Sequence, residues 1–107
     1  MDQEMMKGSI DLLLLSLVAQ RDMYGYEIIK VLKKVSDDTY EISEGTLYAA
    51  LKRLEKKKWV ASYWQETDGG RRKYYRLTDE GGIALESKRE NWKWMDGLVR
   101  KSSEGLS

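Results

Sequence analysis

Residues 43–77 read SEGTLYAALKRLEKKKWVASYWQETDGGRRKYYRL, and the hydrophobic period changes once along them. Leu47, Ala50, Leu51 and Leu54 recur at the i, i+3, i+4, i+7 spacing of one helical face. Ser43, just ahead of them, offers a hydroxyl to the unpaired backbone N–H groups of a helix start. After the basic run Lys56–Lys58 the composition turns aromatic and β-branched. Trp59–Glu66 and Arg71–Leu77 flank Thr67–Asp68–Gly69–Gly70, which predicts a hairpin about a glycine turn.

The pattern extends in both directions. Upstream, Ile10, Leu13, Leu14, Leu17 and Val18 predict a first helix from about Lys7 to Ala19. Leu12 and Leu15 make it apolar almost all round, so burial on more than one side is expected. A second helix follows a turn at Tyr24–Gly25–Tyr26, with Ile28, Val31, Leu32 and Val35 facing inward, and Ser36–Asp37–Asp38 ends it. Downstream, Thr78 caps a last helix that reaches about Lys101, with Asp79 and Glu80 where the helix dipole favours negative charge. Three helices, a hairpin and a long helix make the expected fold class mainly α with a small β-hairpin. That order is a winged helix-turn-helix over residues 1–79, followed by a C-terminal helix over 80–107.

The 107 residues suit one domain and include no histidine, cysteine, proline or phenylalanine. Disulfides, thiolate or imidazole metal sites and Ser/His or Cys/His nucleophiles therefore lack their parts. The carboxylates of Asp37, Asp38, Glu41 and Glu44 come with no matched base or nucleophile, so neither an enzyme nor a cofactor is expected. No stretch approaches the ~20 apolar residues of a membrane span. The run Leu12–Leu15 sits behind Asp2, Glu4 and Asp11, unlike a secretory leader, and a cytoplasmic location is expected.

The net charge is only +1, but it is unevenly spread. Residues 52–76 hold nine basic side chains against three acidic, a net +6, while the rest of the chain carries −5. A basic segment on an acidic body is the footprint of a polyanion binder. The face of the third helix opposite its leucines carries Glu44, Thr46, Tyr48, Ala49, Lys52, Arg53 and Lys56. A helix of that width fits the DNA major groove. There Thr46 and Ala49 allow close approach, Tyr48 and Lys52 reach phosphates, and Arg53 reaches a phosphate or a guanine edge. Gly70–Arg71–Arg72–Lys73 puts three cations beside a flexible tip suited to the minor groove or the phosphate backbone. Strand alternation assigns Tyr74 and Tyr75 to packing the hairpin. A winged helix can also serve as a protein-interaction module without ligand sensing, but that would call for exposed apolar anchors on this face.

Leu85, Lys88, Trp92, Met95 and Val99 follow a 3–4–3–4 spacing along the last helix. That seam predicts a homodimer, with the symmetry-related last helix and the partner's first helix, at Leu13, as its counterparts. Two-fold pairing would present two recognition helices to adjacent half-sites.

Met23–Tyr24–Gly25–Tyr26–Glu27–Ile28, Ser43–Glu44–Gly45–Thr46–Leu47–Tyr48, Leu51–Lys52–Arg53–Leu54–Glu55 and the run from Gly70 to Gly81 resemble the PadR family of transcriptional regulators. The resemblance covers roughly Met5 to Val99, and the length matches its members with a single C-terminal dimerisation helix. It implies a homodimeric repressor that binds a palindromic operator in double-stranded DNA and is released by an effector. It also implies DNA-facing roles for Tyr26, Thr46, Tyr48, Lys52 and Arg53, with Arg71 and Arg72 on the wing; Ser43, Ala49, Gly70 and Lys73 from the residue reading complete the expected DNA-contacting set. Ala49 stands where many members have proline, and Lys58 where many have glycine. In some short members a tryptophan of the last helix lines a pore between subunits and stacks planar, often cationic, drugs. Trp92 resembles that residue, which implies a multidrug-type site for a planar hydrophobic or cationic molecule. Asp96 would be a cation partner there, with Asp11, Leu12 and Ser16 lining the same pore. Packing within a dimer is the simpler role for Trp92.

Overall fold

The computed structural model describes residues 9–105. Helix α1 (Ile10–Gln20) is followed by strand β1 (Met23–Tyr24), helix α2 (Gly25–Val35), helix α3 (Glu44–Lys56), strand β2 (Val60–Thr67), strand β3 (Gly70–Leu77) and helix α4 (Asp79–Ser103). The expected start of the first helix at Lys7 lies outside the described residues. Among the described residues no helix is long and apolar enough to cross a membrane.

Helix α1 is buried on more than one side, as its wide apolar stripe predicts. Leu14 and Leu15 are both inaccessible to solvent, because α3, α4 and β3 all pack against it. Helix α2 is narrower. Ile28 and Leu32 enter the core, Val31 is half-buried, and Val35, expected inside, is 66% exposed. The inward stripe thus stops one turn early. Asp37 and Asp38 both take left-handed backbone angles that turn the chain away at that level, leaving the final turn uncovered.

Helix α3 starts where its capping residue predicts. The Thr46 backbone N–H donates to Ser43 Oγ at 3.2 Å. Ile42 and Leu47, one residue before the cap and four after it, are both buried, the arrangement of a hydrophobic staple. Leu47, Ala50, Leu51 and Leu54 all lie in the core. The helix ends with Lys58 at φ +65°, the left-handed conformation a glycine adopts without penalty.

The sheet has three antiparallel strands in the order β1-β3-β2. Pairing of Thr67 with Gly70 leaves Asp68–Gly69 as a two-residue turn, and the positive backbone angle falls on Gly70, φ +123°, just after it. Trp59, expected in the strand, lies just before it. Strand β1 is an addition to the expected hairpin. Met23 pairs with Tyr75 and Tyr24 with Tyr74, so the predicted turn into α2 is itself tied to the sheet.

Helix α4 is joined to this body at its first turn. Thr78 Oγ1 accepts from the Gly81 N–H at 2.9 Å and donates to the Lys58 carbonyl at 2.6 Å. The Thr78 N–H donates to the Trp59 carbonyl at 3.1 Å. Gly81 and Leu85 are buried in the same core as α1 to α3. Beyond Leu85 the helix leaves that core, and the molecule measures 63 Å along its longest axis.

Candidate nucleic-acid interface

Burying four positions of α3 turns its other residues to solvent. Glu44, Gly45, Thr46, Tyr48, Ala49, Lys52, Arg53 and Lys56 are all exposed, as the helical period requires. Ser43 and Thr46 are partly committed to each other, since the Ser43 hydroxyl also donates to Thr46 Oγ1 at 2.9 Å. Tyr48 reaches across to the start of α2. A Cβ on Gly25 would fall 2.3 Å from the Tyr48 hydroxyl, so the absence of a side chain there makes the seat for this phenol. Tyr26, one residue on, is 57% exposed, with the Lys30 ammonium 5.3 Å from its ring centre.

Arg53 is not a free cation. Its Nη2 lies 2.5 Å from Asp11 Oδ1, and the Asp11 side chain retains only 16% of its exposure. Two residues assigned by sequence to different sites, a DNA face and a ligand pore, thus form one ion pair between α3 and α1. No sequence signal couples positions 42 residues apart.

The three cations beside the wing tip each rest on an aromatic ring. Arg71 lies 4.8 Å from the centre of Trp64, Arg72 4.5 Å from Tyr24, and Lys73 5.8 Å from Tyr75. Tyr74 stacks on Tyr63 at 5.7 Å and meets the edge of Tyr24 at 5.5 Å. The Tyr63 hydroxyl donates to Asp22 at 2.6 Å, a bond that raises the pKa of the phenol. Tyr75 is buried, and burial is the main cause of its raised pKa, followed by the charges of Glu55 and Tyr48 on α3. Both tyrosines therefore build the wing, and Gly70 at φ +123° supplies the backbone its tip needs. Sequence reasoning passed over Trp64 and Tyr24 as supports for the arginines. The strand register reveals them, placing Trp64 opposite Lys73.

The C-terminal seam divides in two. Leu85 is 3% exposed within its own chain, and the Lys88 ammonium lies 5.4 Å from the ring of its own Trp59. Trp92, Met95 and Val99 remain about half exposed, and so do Trp94 and Leu98 alongside them. Between α1 and α4 runs an open groove of about 530 Å³, lined by Ser9, Leu12, Leu13, Ser16, Arg89, Trp92 and Lys93. It brings together three of the five side chains that sequence assigned to a pore. Asp11 is turned to Arg53, and Asp96 is paired with Arg100 at 3.1 Å.

Comparison with known proteins places this arrangement. The model of the Transcriptional regulator PadR-like family matches residues 14–87. The structure of a transcriptional regulator from Clostridium thermocellum superposes with a TM-score of 0.87 at 39% identity, covering 94% of this chain and 96% of that one. A PadR-like transcriptional regulator from Bacillus cereus gives 0.84 at 30% identity, covering 97% and 100%. A transcriptional regulator of Mycobacterium tuberculosis is 31% identical over 98% of this chain and 92% of its own length.

Proposed function

This chain belongs to the PadR-like family of DNA-binding transcriptional regulators, and from that premise we propose that it acts as a homodimeric repressor on a palindromic operator. One observation carries the reading: the two faces such a protein needs are exposed on one chain. The face of α3 and the wing are polar and cationic, while the outer half of α4 is apolar and uncovered. Paired α4 helices would cover Trp92, Met95 and Val99 and relate two α3 helices by a two-fold axis. Each copy would contribute Tyr26, Ser43, Thr46, Tyr48, Ala49 and Lys52 from the helical body, with Gly70, Arg71, Arg72 and Lys73 from the wing. The relatives are regulators rather than enzymes. A protein-interaction role is disfavoured because Lys52, Arg53 and Lys56 make the exposed face of α3 cationic, and its aromatic residues Tyr48 and the neighbouring Tyr26 carry polar hydroxyls.

The salt dependence of duplex binding tests this reading. Each neutralised phosphate contributes about −0.9 to the slope of log K against log salt. Lys52→Ala and Arg72→Ala should therefore each flatten the slope by about two, one phosphate contact being lost from each copy in the dimer. Arg53→Ala should flatten it less, because Asp11 already answers that charge. Anisotropy titrations between low and moderate salt measure all three. Binding that ignores salt would favour a protein partner.

The groove between α1 and α4 suits a flat hydrophobic effector stacked on Trp92. Arg89 and Lys93 are its charged lining, and Arg89 is itself paired with Glu86 at 3.0 Å. Of the planar hydrophobic or cationic molecules expected from sequence, the hydrophobic ones therefore fit better, and anionic rings fit as well. An anionic naphthalene dye should quench the intrinsic fluorescence, and Trp92→Ala should remove most of that quenching. Stronger quenching by a cationic dye of equal size would reverse the charge assignment.

A further inference from the structure

Trp64 is 57% exposed on β2, although nothing about a hairpin requires a tryptophan there. Side chains two apart on a strand share a face, so Trp64 lies with Ser62 and the buried Val60. Ser62 Oγ donates to the Glu55 carboxylate of α3 at 2.8 Å, which turns this face of the wing toward the exposed helix. Across the strand pair, Val60, Ser62 and Trp64 meet Leu77, Tyr75 and Lys73, and the next pair on the face is Glu66 with Arg71. The core ends at Tyr75. Beyond it the same face continues as an indole between two cations, with the Arg71 guanidinium 4.8 Å from its ring centre.

We propose that Trp64 is a DNA-contacting residue, the apolar centre of a wing face that packs on the sugar–phosphate backbone beside the groove occupied by α3. The partner follows from the chemistry of the patch. Arg71 and Lys73 select an anion, and the indole between them selects an apolar surface next to that anion. A deoxyribose flanked by phosphates offers both, and the indole N–H adds a donor for a phosphate oxygen. Stacking also pre-organises Arg71, so less side-chain freedom is lost when its guanidinium meets a phosphate. The inference rests on the wing facing DNA as proposed above, and assigns it a contact that does not depend on charge.

That property gives the test. In anisotropy titrations of the full-length protein with duplex, Trp64→Ala should weaken binding about ten-fold, as loss of a buried aromatic contact does. The salt slope should change by less than one, because no charge is removed. Trp64→Phe should restore affinity to within about three-fold, since a ring is retained. Addition of duplex should change the fluorescence of the wild type and leave that of Trp64→Phe nearly unchanged. Thermal melts of both variants should match the wild type, because the indole is exposed. Unaltered affinity in Trp64→Ala, or a full DNA-induced fluorescence change in Trp64→Phe, overturns the inference while leaving the wing cations in place. If Lys73→Ala, on the same face as Trp64, also binds as tightly as the wild type, this face of the wing does not meet DNA and the underlying reading falls with it.

Discussion

Replacing Gly81 with alanine should destabilise the protein by about 3–5 kcal/mol, although alanine is the better helix former. A Cβ at this position would lie 1.9 Å from the Trp59 carbonyl oxygen and 2.8 Å from Leu77 Cδ1. The oxygen is a backbone atom and cannot swing aside as a side chain would. It also accepts the Thr78 N–H, so moving it loosens the cap of α4 together with the link from α3 into β2. Relief by shifting the helix instead would draw Leu85 out of the core. Gly82 is the internal control. A Cβ there meets only Leu77 Cδ2 at 3.8 Å, so Gly82→Ala should be neutral or stabilising by about 0.5–1 kcal/mol. Urea unfolding of the pair reads the difference, and the melting temperature of Gly81→Ala should fall by roughly 15 °C or more. Equal stability of the two variants would mean that α4 does not sit against Trp59 as described.

The same joint shows which parts of the molecule are legible in its sequence. Helix α3 is readable because it has a single period over enough residues with a cap at its start, and the hairpin because two β-favouring runs flank a glycine turn. The exposed face of α3 follows automatically once four leucine and alanine positions are buried. Strand β1 is not readable. Two residues have no period, and Met23–Tyr24 is a strand only because β3 lies beside it. Val35 shows the converse: its spacing continues the inward stripe of α2, but a period cannot say where the covering elements stop. Gly81–Gly82 in a first helical turn is a visible oddity, yet the sequence does not say which of the two is pressed against another chain segment. Contacts distant along the chain are the least accessible. Arg53 looks like a free DNA-facing cation until Asp11 is found beside it, and the rings under Arg71 and Arg72 depend on a strand register. Two carboxylates of the expected ligand set are engaged elsewhere for a similar reason. Helical spacing puts Asp11 near Leu12 and Asp96 near Trp92, but each carboxylate has a closer arginine.

Charging the open part of the seam should have the largest effect on DNA binding. Met95→Glu is expected to convert the proposed dimer into a monomer and to lower operator affinity about 10²- to 10⁴-fold. Met95 is 51% exposed in the single chain, so a carboxylate there can stay in water and the fold should survive. Leu85 would be a poor choice because, at 3% exposure, its replacement would unfold the chain before testing any interface. In a dimer paired through α4, two copies of the new carboxylate would approach each other across the axis. Two like charges brought together in a buried seam cost several kcal/mol. Once separated, each chain holds one half-site alone and loses the effective concentration that the second recognition helix gains from being tethered to the first. The DNA-facing residues are untouched, so the salt slope per chain should persist while the affinity falls. Sedimentation equilibrium and operator titration on the same samples separate the causes. A monomer that still binds a full operator as tightly as the wild type would remove α4 pairing from the mechanism. A dimer that survives the charge would locate the interface elsewhere, because two carboxylates cannot share a dry seam whose other members are Trp92 and Val99.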